Sequence, residues 1–423
     1  MTQTKMPSLR RGLRLREAVA LGVGGTIGGG IFVLVGEGAS AAGPGVLVAF
    51  ALAFVASLAI ALPYAELSCR FPLAGGGYAM TRAVLGDHWG FFMGWAFWGG
   101  YLFISGYVTV GFGGYLAGLT GLPPVAGSVL LIATSTVINL GGVTLSGRWQ
   151  NIVILLGIAM LVVFAIAGIV TLRPTAITPF FPAGIAGVGA ATLVTFLAFG
   201  GFDMVAAAGE EVVDPRRNLP RAIILTLLLV LGLYLAVALA TVGALPAGEL
   251  TGQAPLAAAA RQVMGPAGGT LMTVASLLTT AATANAVLIV TSRISYAMAR
   301  DRLLPGPLAR VSASTRVPWV AIAVNGALFA VVAAVVSIPL AAKIGGFLYV
   351  LHFVFPLVVL IVVRRRATTD EAGFQVPLAK VVVPVAFLAC AGLFVASGTT
   401  GLAGGTLWLA AGAVCYGIKR YFS

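Results

Sequence analysis

Long apolar stretches, separated by short segments with charged residues, Pro or Gly, run through almost the whole chain. A helix needs about 20 apolar residues to cross the hydrocarbon core of a bilayer. Apolar stretches of about that length between polar boundaries predict twelve membrane-spanning helices. We place these spans at residues 17–40, 44–67, 88–118, 123–141, 149–172, 187–211, 219–245, 267–299, 317–337, 341–363, 378–397 and 402–418.

Composition and charge agree with this pattern. Of the 423 residues, 60% are hydrophobic and 9% are charged, which excludes a soluble globular protein and leaves little length for a separate soluble domain. Lys and Arg collect in the cytoplasmic segments of membrane proteins. With the N-terminus inside, all of the 25 Lys and Arg residues except Arg173, Arg261 and Lys343 fall on the cytoplasmic side. The sequence therefore predicts an all-α polytopic protein of the cell inner (cytoplasmic) membrane, embedded in the lipid bilayer, with both termini in the cytoplasm.

Other partners and chemistries lack a sequence signal. The net charge is +13, but no basic run is interleaved with aromatic residues, so we expect no nucleic-acid partner. Cys69, Cys390 and Cys415 form no CxxC pair, and His88 and His352 have no ligand spacing, so we expect no metal site and no cofactor. The sequence shows no nucleophile–base arrangement and no phosphate loop, so we do not expect an enzyme.

The first span is interrupted by glycine. Six glycines occupy nine positions between Gly22 and Gly30, and each is about 1 kcal/mol less favourable than Ala in a helix interior. At membrane depth, an unwound segment is tolerated only where protein or a wet cavity satisfies its backbone groups. The segment therefore predicts a helix that unwinds around a ligand. Close helix packing through Gly24 and Gly28 is the alternative.

The sixth span carries a second interruption, where Gly200 and Gly201 break the run TLVTFLAFGGFDMV beside Asp203. Two glycine-interrupted spans in corresponding places of two halves indicate the midplane binding site of an inverted-repeat transporter. The predicted organisation is a cytoplasmic tail (1–16), a first repeat of five spans (17–172), an inverted second repeat (187–363) and two peripheral spans (378–418).

The two breaks offer complementary partial charges. The amides that open the second half of span 1, around Gly29, Gly30 and Ile31, suit a carboxylate. The unwound carbonyl groups of residues such as Thr26, Phe199 and Gly200 suit an ammonium group. An α-amino acid carries both groups on one carbon, so the expected small-molecule substrate is an L-amino acid.

Several motifs resemble those of the amino acid–polyamine–organocation permeases. GTIGGGIF in span 1 is similar to their G-x-I-G-x-G-I-F signature, and FPLAGGGYAM (71–80) is similar to their P-x-A-G-G-x-Y segment. FGGFDMVAAAGEEVVDPRRNLPRAI (199–223) and TTAATANAVLIVTSRISYAMARDRLLP (279–305) are similar to their sixth and eighth spans with the adjoining loops. Within this family, the motifs are most similar to those of the cationic amino acid transporter branch.

This resemblance covers about residues 16 to 365. It implies a leucine-transporter-like core of ten helices in a 5+5 inverted repeat, with two extra C-terminal helices. It also implies that the amides of Gly28, Gly29 and Gly30 hold the substrate carboxylate, with the amino group at the carbonyl groups named above.

The chain departs from the family pattern in two places. Proton-coupled members carry a lysine within span 5, where this chain has Gly157, so we expect facilitated or exchange transport that needs no sodium, with any pH dependence carried by Asp203. The family often places an aromatic gate six residues before the acid of span 6, where this chain has Leu197. The neighbouring aromatic candidates for this gate are Phe196, Phe199 and Phe202.

The remaining polar residues each allow two interpretations. Asp203, the only acid deep in a span, marks a substrate, ion or proton pathway, or else locks span 6 to a neighbour. The hydroxyl groups of span 8 line the cavity or a sodium site, or else bond their own helix. Near the cytoplasm, Glu66, Glu210, Glu211 and Asp214 are predicted to pair with Arg70, Arg216, Arg217 or Arg293 at an inner gate. Trp89, Trp95 and Trp98 are predicted to lie in an interfacial aromatic belt.

The leading interpretation is a secondary or exchange transporter for amino acids that works by alternating access. A polyamine or other organic-cation permease is the alternative, and a membrane-embedded enzyme or sensor is a more distant one. The sequence does not determine which amino acid is carried, the direction of transport or the oligomeric state.

Overall fold

A computed structural model of the protein describes residues 13–71, 76–141, 147–172, 177–207, 212–250, 254–366 and 374–421. Apart from short 3₁₀ turns and one bridge between Leu13 and Val212, the regular elements within these ranges are α-helices. They are α1 (Leu15–Thr26), α2 (Gly29–Ala42), α3 (Val46–Arg70), α4 (Gly76–Leu85), α5 (Asp87–Thr120), α6 (Pro124–Leu140), α7 (Gly147–Val170), α8 (Gly184–Ala198), α9 (Phe202–Ala207), α10 (Pro215–Ala244), α11 (Pro255–Arg300), α12 (Trp319–Val335), α13 (Ile338–Arg366), α14 (Ala379–Ala396) and α15 (Gly398–Tyr421).

The predicted spans fall on these helices. Span 1 consists of α1 and α2, span 6 contains α8 and α9, and each of the other spans falls mainly on a single helix. Within the described ranges, eight helical segments are long and apolar enough to cross a membrane, while α6, α8 and α12 are shorter apolar helices. The chain is thus an all-α polytopic membrane protein.

Two helical segments were not predicted. The eighth helix of the pattern, α11, begins at Pro255 rather than at residue 267 and bends at Gly265, where φ is +74°. Its first part, PLAAAARQV, is rich in alanine, which favours a helix although the polar side chains make it a poor span. The second segment is α4, where the Gly77 amide donates a hydrogen bond of 2.8 Å to the Tyr64 hydroxyl.

Large apolar side chains cover the outside of α7, α14 and α15. Val170, Leu388 and Leu407 are 80%, 71% and 74% exposed. Such side chains face lipid in a membrane protein, where exposure of apolar groups carries no penalty. Inside this layer, α5 packs against α11 and α13, and α2 packs against α8 and α11.

The interfacial-belt prediction is wrong for Trp95 and Trp98, which are each only 6% exposed. The Trp95 indole N–H donates to the Trp408 carbonyl oxygen (2.7 Å), and the Trp408 indole N–H donates to the Trp95 carbonyl oxygen (3.0 Å). The Trp98 indole N–H donates to the Asn325 side chain (2.8 Å). Because each indole N–H has a partner, both rings can be buried, and the reciprocal pair ties α15 to α5.

Glu66 of α3 holds together three segments. Its side chain is 0% exposed, and its oxygens accept hydrogen bonds from Arg70 (2.9 Å), from Arg364 Nε (3.0 Å) and Nη2, and from the Val376 amide (2.7 Å). The predicted pair with Arg70 is confirmed, whereas Arg364, which lies 298 residues away in the sequence, was not predicted. Glu66 thereby joins α3 to α13 and to the segment that leads into α14. Two of the other acids predicted for this inner gate, Glu210 and Glu211, lie outside the described residues.

A second ionic cluster fixes α4. Arg82 pairs with Asp87 (2.6 Å) and Asp301 (2.7 Å), and the Tyr78 hydroxyl donates to Asp301 (2.9 Å). The hydrogen bond to Asp87 raises the pKa of Arg82, and burial together with the bond to Asp301 raises the pKa of Tyr78. Both groups stay protonated at neutral pH, so α4 remains bound to the start of α5 and the end of α11.

Candidate functional site

The first break separates α1 from α2. Helix α1 ends at Thr26, the next two residues leave the helical conformation, and α2 begins at Gly29. A Cβ on Gly28 would lie only 2.7 Å from the Thr283 hydroxyl oxygen of α11, so the position has no space for a side chain. The glycines therefore serve both the break and close helix packing, the two interpretations that the sequence allowed.

The second break separates α8, which ends at Ala198, from α9, which begins at Phe202. Gly201 between them has φ of +122°, and a Cβ there would lie 2.4 Å from the carbonyl oxygen of Gly25. Only glycine can adopt this positive φ and also lie this close to the Gly25 carbonyl oxygen. On the other side, a Cβ on Gly30 would lie 3.4 Å from Ala198 Cα. The two breaks therefore touch each other directly.

Tyr234 of α10 bridges the two breaks. Its hydroxyl lies 3.0 Å from the carbonyl oxygen of Thr26 and 3.0 Å from that of Ala198, and it can donate its single proton to either. Each carbonyl belongs to the last residue of a half-helix, where intrahelical donors run out. Tyr234 was not predicted from the sequence, because a lone tyrosine in an apolar span resembles an ordinary packing residue.

A cavity of about 40 Å³ lies where the breaks meet. It is lined by Gly25, Thr26, Gly28, Gly30, Tyr101, Ile104, Tyr107, Leu197, Ala198, Gly200, Gly201, Thr283, Val287 and Tyr349. None of these lining residues carries a charged side chain. Thr26 is 2% exposed, and its hydroxyl has no hydrogen-bond partner among the described residues. A buried hydroxyl without a partner is costly, so this group points to a ligand in the cavity.

Part of the predicted site lines the cavity, namely Thr26, Gly28, Gly30, Leu197 and Gly200. The others lie behind it, and they are Gly29, Ile31, Phe196, Phe199, Phe202 and Asp203. The Gly29 amide donates to the Thr283 hydroxyl (2.7 Å), so this helix-terminal donor is already engaged. Ile31 is fully buried in the apolar core.

The aromatic gate candidates are packing residues in this structure. The Phe199 ring packs against Phe50 and Tyr234 at centroid distances of 6.3 and 5.4 Å, and the Phe202 ring stacks on Phe353 at 5.2 Å. Leu197, at the family's gate position, lies at the cavity itself.

Asp203 is 5% exposed and is held by three donors. The Tyr101 hydroxyl of α5 and the Tyr349 hydroxyl of α13 each lie 3.3 Å from one of its carboxylate oxygens, and the Gly201 amide lies 3.2 Å away. Both tyrosines line the cavity. Neither was predicted from the sequence as a site residue. Asp203 thus joins the second break to two other helices.

The helices α7 and α11 are in direct contact at the family's lysine position. A Cβ on Gly157 would lie 2.6 Å from the Thr279 hydroxyl oxygen. The hydroxyl groups of Thr279, Thr280 and Thr283 each donate to the carbonyl oxygen four residues earlier in α11, at 2.7, 2.6 and 2.9 Å. A lysine at residue 157 would force these helices apart, and the hydroxyl protons are used within α11.

Comparisons with known proteins agree with the motifs. The amino acid permease family matches residues 13–417. The branched-chain amino acid permease BcaP of Bacillus subtilis is 32% identical over 407 residues, which cover 90% of this chain and 87% of the relative. The methylthioribose transporter of Bacillus subtilis is 31% identical over 411 residues, with 92% and 88% covered. Cationic amino acid transporter 4 of Mus musculus is 31% identical over 393 residues, with 86% and 62% covered.

These relatives are named for three different kinds of substrate at nearly the same identity, so identity alone does not choose among them. The family itself is shown by a match that spans almost the whole chain. The resemblance seen in the sequence is confirmed, and the chain belongs to the amino acid permease family.

Proposed function

We propose that this chain is a secondary or exchange transporter that carries L-amino acids across the cell inner membrane by alternating access. The observation that supports this most is the contact of two broken helices at an uncharged cavity. Helices α1 and α8 end in carbonyl groups at Thr26 and Ala198, while α2 begins with amide groups at Gly29. Carbonyl oxygens attract an ammonium group and helix-terminal amides attract a carboxylate, so an α-amino acid suits both.

The contacts refine the expected binding mode. The Gly29 amide donates to Thr283 and the Gly28 amide donates to the Thr26 carbonyl oxygen (2.8 Å), whereas Gly28 and Gly30 both line the cavity. The substrate carboxylate is therefore proposed to lie at the Gly30 amide beside Gly28, where it would accept a hydrogen bond from the Thr26 hydroxyl, which has no partner among the described residues. The ammonium group would lie at the carbonyl oxygens near Thr26 and Ala198 and compete with Tyr234 for them.

The small size of the cavity supports alternating access. A volume of about 40 Å³ accommodates only a few water-sized groups. An amino acid therefore requires the lining to move, which is what rocking of one repeat against the other provides. The proposed framework has twelve spans, with repeats at 17–172 and 187–363, peripheral spans at 378–418 and both termini in the cytoplasm.

Transport is proposed to need no sodium. This part of the proposal rests on Gly157, which supplies no charge at the family's coupling position. A polyamine or other organic-cation permease is disfavoured because the cavity lining carries no negative charge. Any pH dependence carried by Asp203 stays a prediction.

The test uses purified protein in proteoliposomes that are preloaded with unlabelled amino acid. Uptake of labelled alanine, valine, leucine, lysine and methylthioribose is followed with and without sodium. We expect exchange of amino acids in both conditions. Gly30→Leu should abolish it, because the new side chain enters the cavity beside Ala198. Gly232→Leu of α10 is the matched control, because a Cβ there meets nothing within 4 Å.

The outcomes separate the parts of the proposal. A folded wild-type protein that exchanges no amino acid would refute amino acid transport, and exchange of methylthioribose alone would replace the substrate. Strict dependence on sodium would refute only the statement on coupling. Wild-type exchange rates in both glycine variants would show that the first break is a packing feature.

A further inference from the structure

Asp203 is an acid that already has its hydrogen-bond partners. One carboxylate oxygen accepts from Tyr101, and the other accepts from Tyr349 and from the Gly201 amide. All three donors are uncharged. A carboxylate with donors on both oxygens is satisfied without a cation, whereas a bare buried carboxylate would demand one.

The two tyrosines stand between this acid and the cavity. Tyr101 and Tyr349 line the cavity and Asp203 does not. Their rings pack edge to face, with centroids 5.6 Å apart and an interplanar angle of 82°. They come from α5 and α13, two helices that pack closely on each other. A side chain in the cavity therefore meets phenol groups where it would otherwise meet a carboxylate.

The other side chains of the lining carry no negative charge. Ile104, Leu197 and Val287 are aliphatic, and the remaining side chains are Thr26, Thr283 and Tyr107, besides alanine and glycine. A cationic side chain would therefore meet no counter-charge in the lining, and a poorly solvated charge without a partner is strongly unfavourable.

Building on the proposed amino acid transport, we propose that Tyr101 and Tyr349 determine the side-chain specificity of this protein. By donating to both oxygens of Asp203, they keep the deep acid away from the substrate. The substrates are then α-amino acids with uncharged side chains, and cationic amino acids are rejected. Asp203 acts through the tyrosines as a positioning residue.

The test measures how well lysine competes with alanine. Proteoliposomes preloaded with alanine take up labelled alanine, and the half-inhibitory concentrations of unlabelled lysine and alanine give a ratio. In the wild type we expect this ratio to be at least about 100, the selectivity that an unpaired buried charge produces. Tyr101→Phe removes the only described donor to one carboxylate oxygen, so the ratio should fall at least about tenfold. Tyr349→Phe tests the same idea at the other oxygen, where the Gly201 amide remains as a donor and a smaller fall is expected.

Two further variants separate specificity from a general disturbance. Asp203→Asn in the Tyr101→Phe background should return the ratio to its wild-type value, because the gained recognition requires the negative charge. Tyr107→Phe alters another phenol of the same cavity that is not among the described donors to Asp203. Whatever its effect on the rate, it should leave the ratio unchanged. Size-exclusion profiles and the shift in melting temperature with alanine establish that each variant is folded.

The proposal is overturned if wild-type protein accepts lysine as readily as alanine, or if both folded phenol variants keep the wild-type ratio. Both results would leave amino acid transport intact. If the folded wild type exchanges no amino acid at all, the proposed function fails and this proposal fails with it.

Discussion

Replacing Glu66 by glutamine is expected to destabilise the protein strongly. The Glu66 carboxylate is 0% exposed and binds Arg70, Arg364 and the Val376 amide. Glutamine keeps the shape but removes the negative charge, and it directs an NH₂ group toward groups that are themselves donors. Two guanidinium groups, 13% and 29% exposed, are then left without their anion.

The size of this effect follows from burial. Removing one partner of a buried ion pair costs about 3–5 kcal/mol. Because Arg364 is 29% exposed and water can solvate it in part, we expect the lower end of this range, about 3 kcal/mol. Asp87→Asn provides the matched comparison, since Asp87 pairs with Arg82 but is 60% exposed. An exposed ion pair contributes about 0–1 kcal/mol.

The assay is unfolding of the detergent-solubilised protein, followed by intrinsic fluorescence with heat and with denaturant. Glu66→Gln should lower the apparent melting temperature markedly, and Asp87→Asn should barely change it. The double variant Glu66→Gln with Arg364→Gln should lose less stability than the sum of the losses in the two single variants, because the second substitution removes a charge that is already unpaired. Equal stability of Glu66→Gln and Asp87→Asn would refute the reasoning, since burial would then not decide the cost.

Three further predictions concern the breaks and the topology. Tyr234→Phe should lower the free energy of unfolding by about 1–2 kcal/mol in the same assay, because one carbonyl loses its donor. Gly201→Ala should lower the free energy of unfolding more than Gly265→Ala does. Both glycines have positive φ, but only at Gly201 would a Cβ meet backbone, at 2.4 Å from the Gly25 carbonyl oxygen. Equal losses of stability in the two variants would contradict this. In a background without the native cysteines, a membrane-impermeant maleimide should label a cysteine at Arg302 from the cytoplasm and one at Arg261 from outside. The reverse pattern would overturn the predicted topology.

The helices could be predicted from the sequence because the membrane makes the rule simple. A backbone in lipid must satisfy its own hydrogen bonds, so apolar length indicates a helix almost directly. Residue type alone does not predict the position of a side chain that has a tertiary hydrogen-bond partner. Trp95 and Trp98 were assigned to the interface from residue type alone, but their indole groups have partners on α15 and α12 that no local pattern reveals.

The breaks were predicted because glycine leaves a local signal, but the direction of each amide was not. Gly28, Gly29 and Gly30 are equivalent in the sequence. In the structure, Gly28 and Gly30 line the cavity, the Gly28 amide donates to the Thr26 carbonyl oxygen (2.8 Å), and the Gly29 amide donates to Thr283, which is 254 residues away. The bond from Gly29 is a tertiary contact, so the sequence of the first span alone does not distinguish Gly29 from Gly30.

The partners of Asp203 also depend on tertiary contacts. An acid in an apolar span suggests a site for a cation, and the residue type alone favours a cationic substrate. Tyr101 and Tyr349, at separations of 102 and 146 residues, supply the donors that satisfy it. The chain has 10 tyrosines, and neither of these two is distinguished by its neighbours in sequence. In the proposal made above, the groups that satisfy the acid, and not the acid itself, determine the specificity of this site.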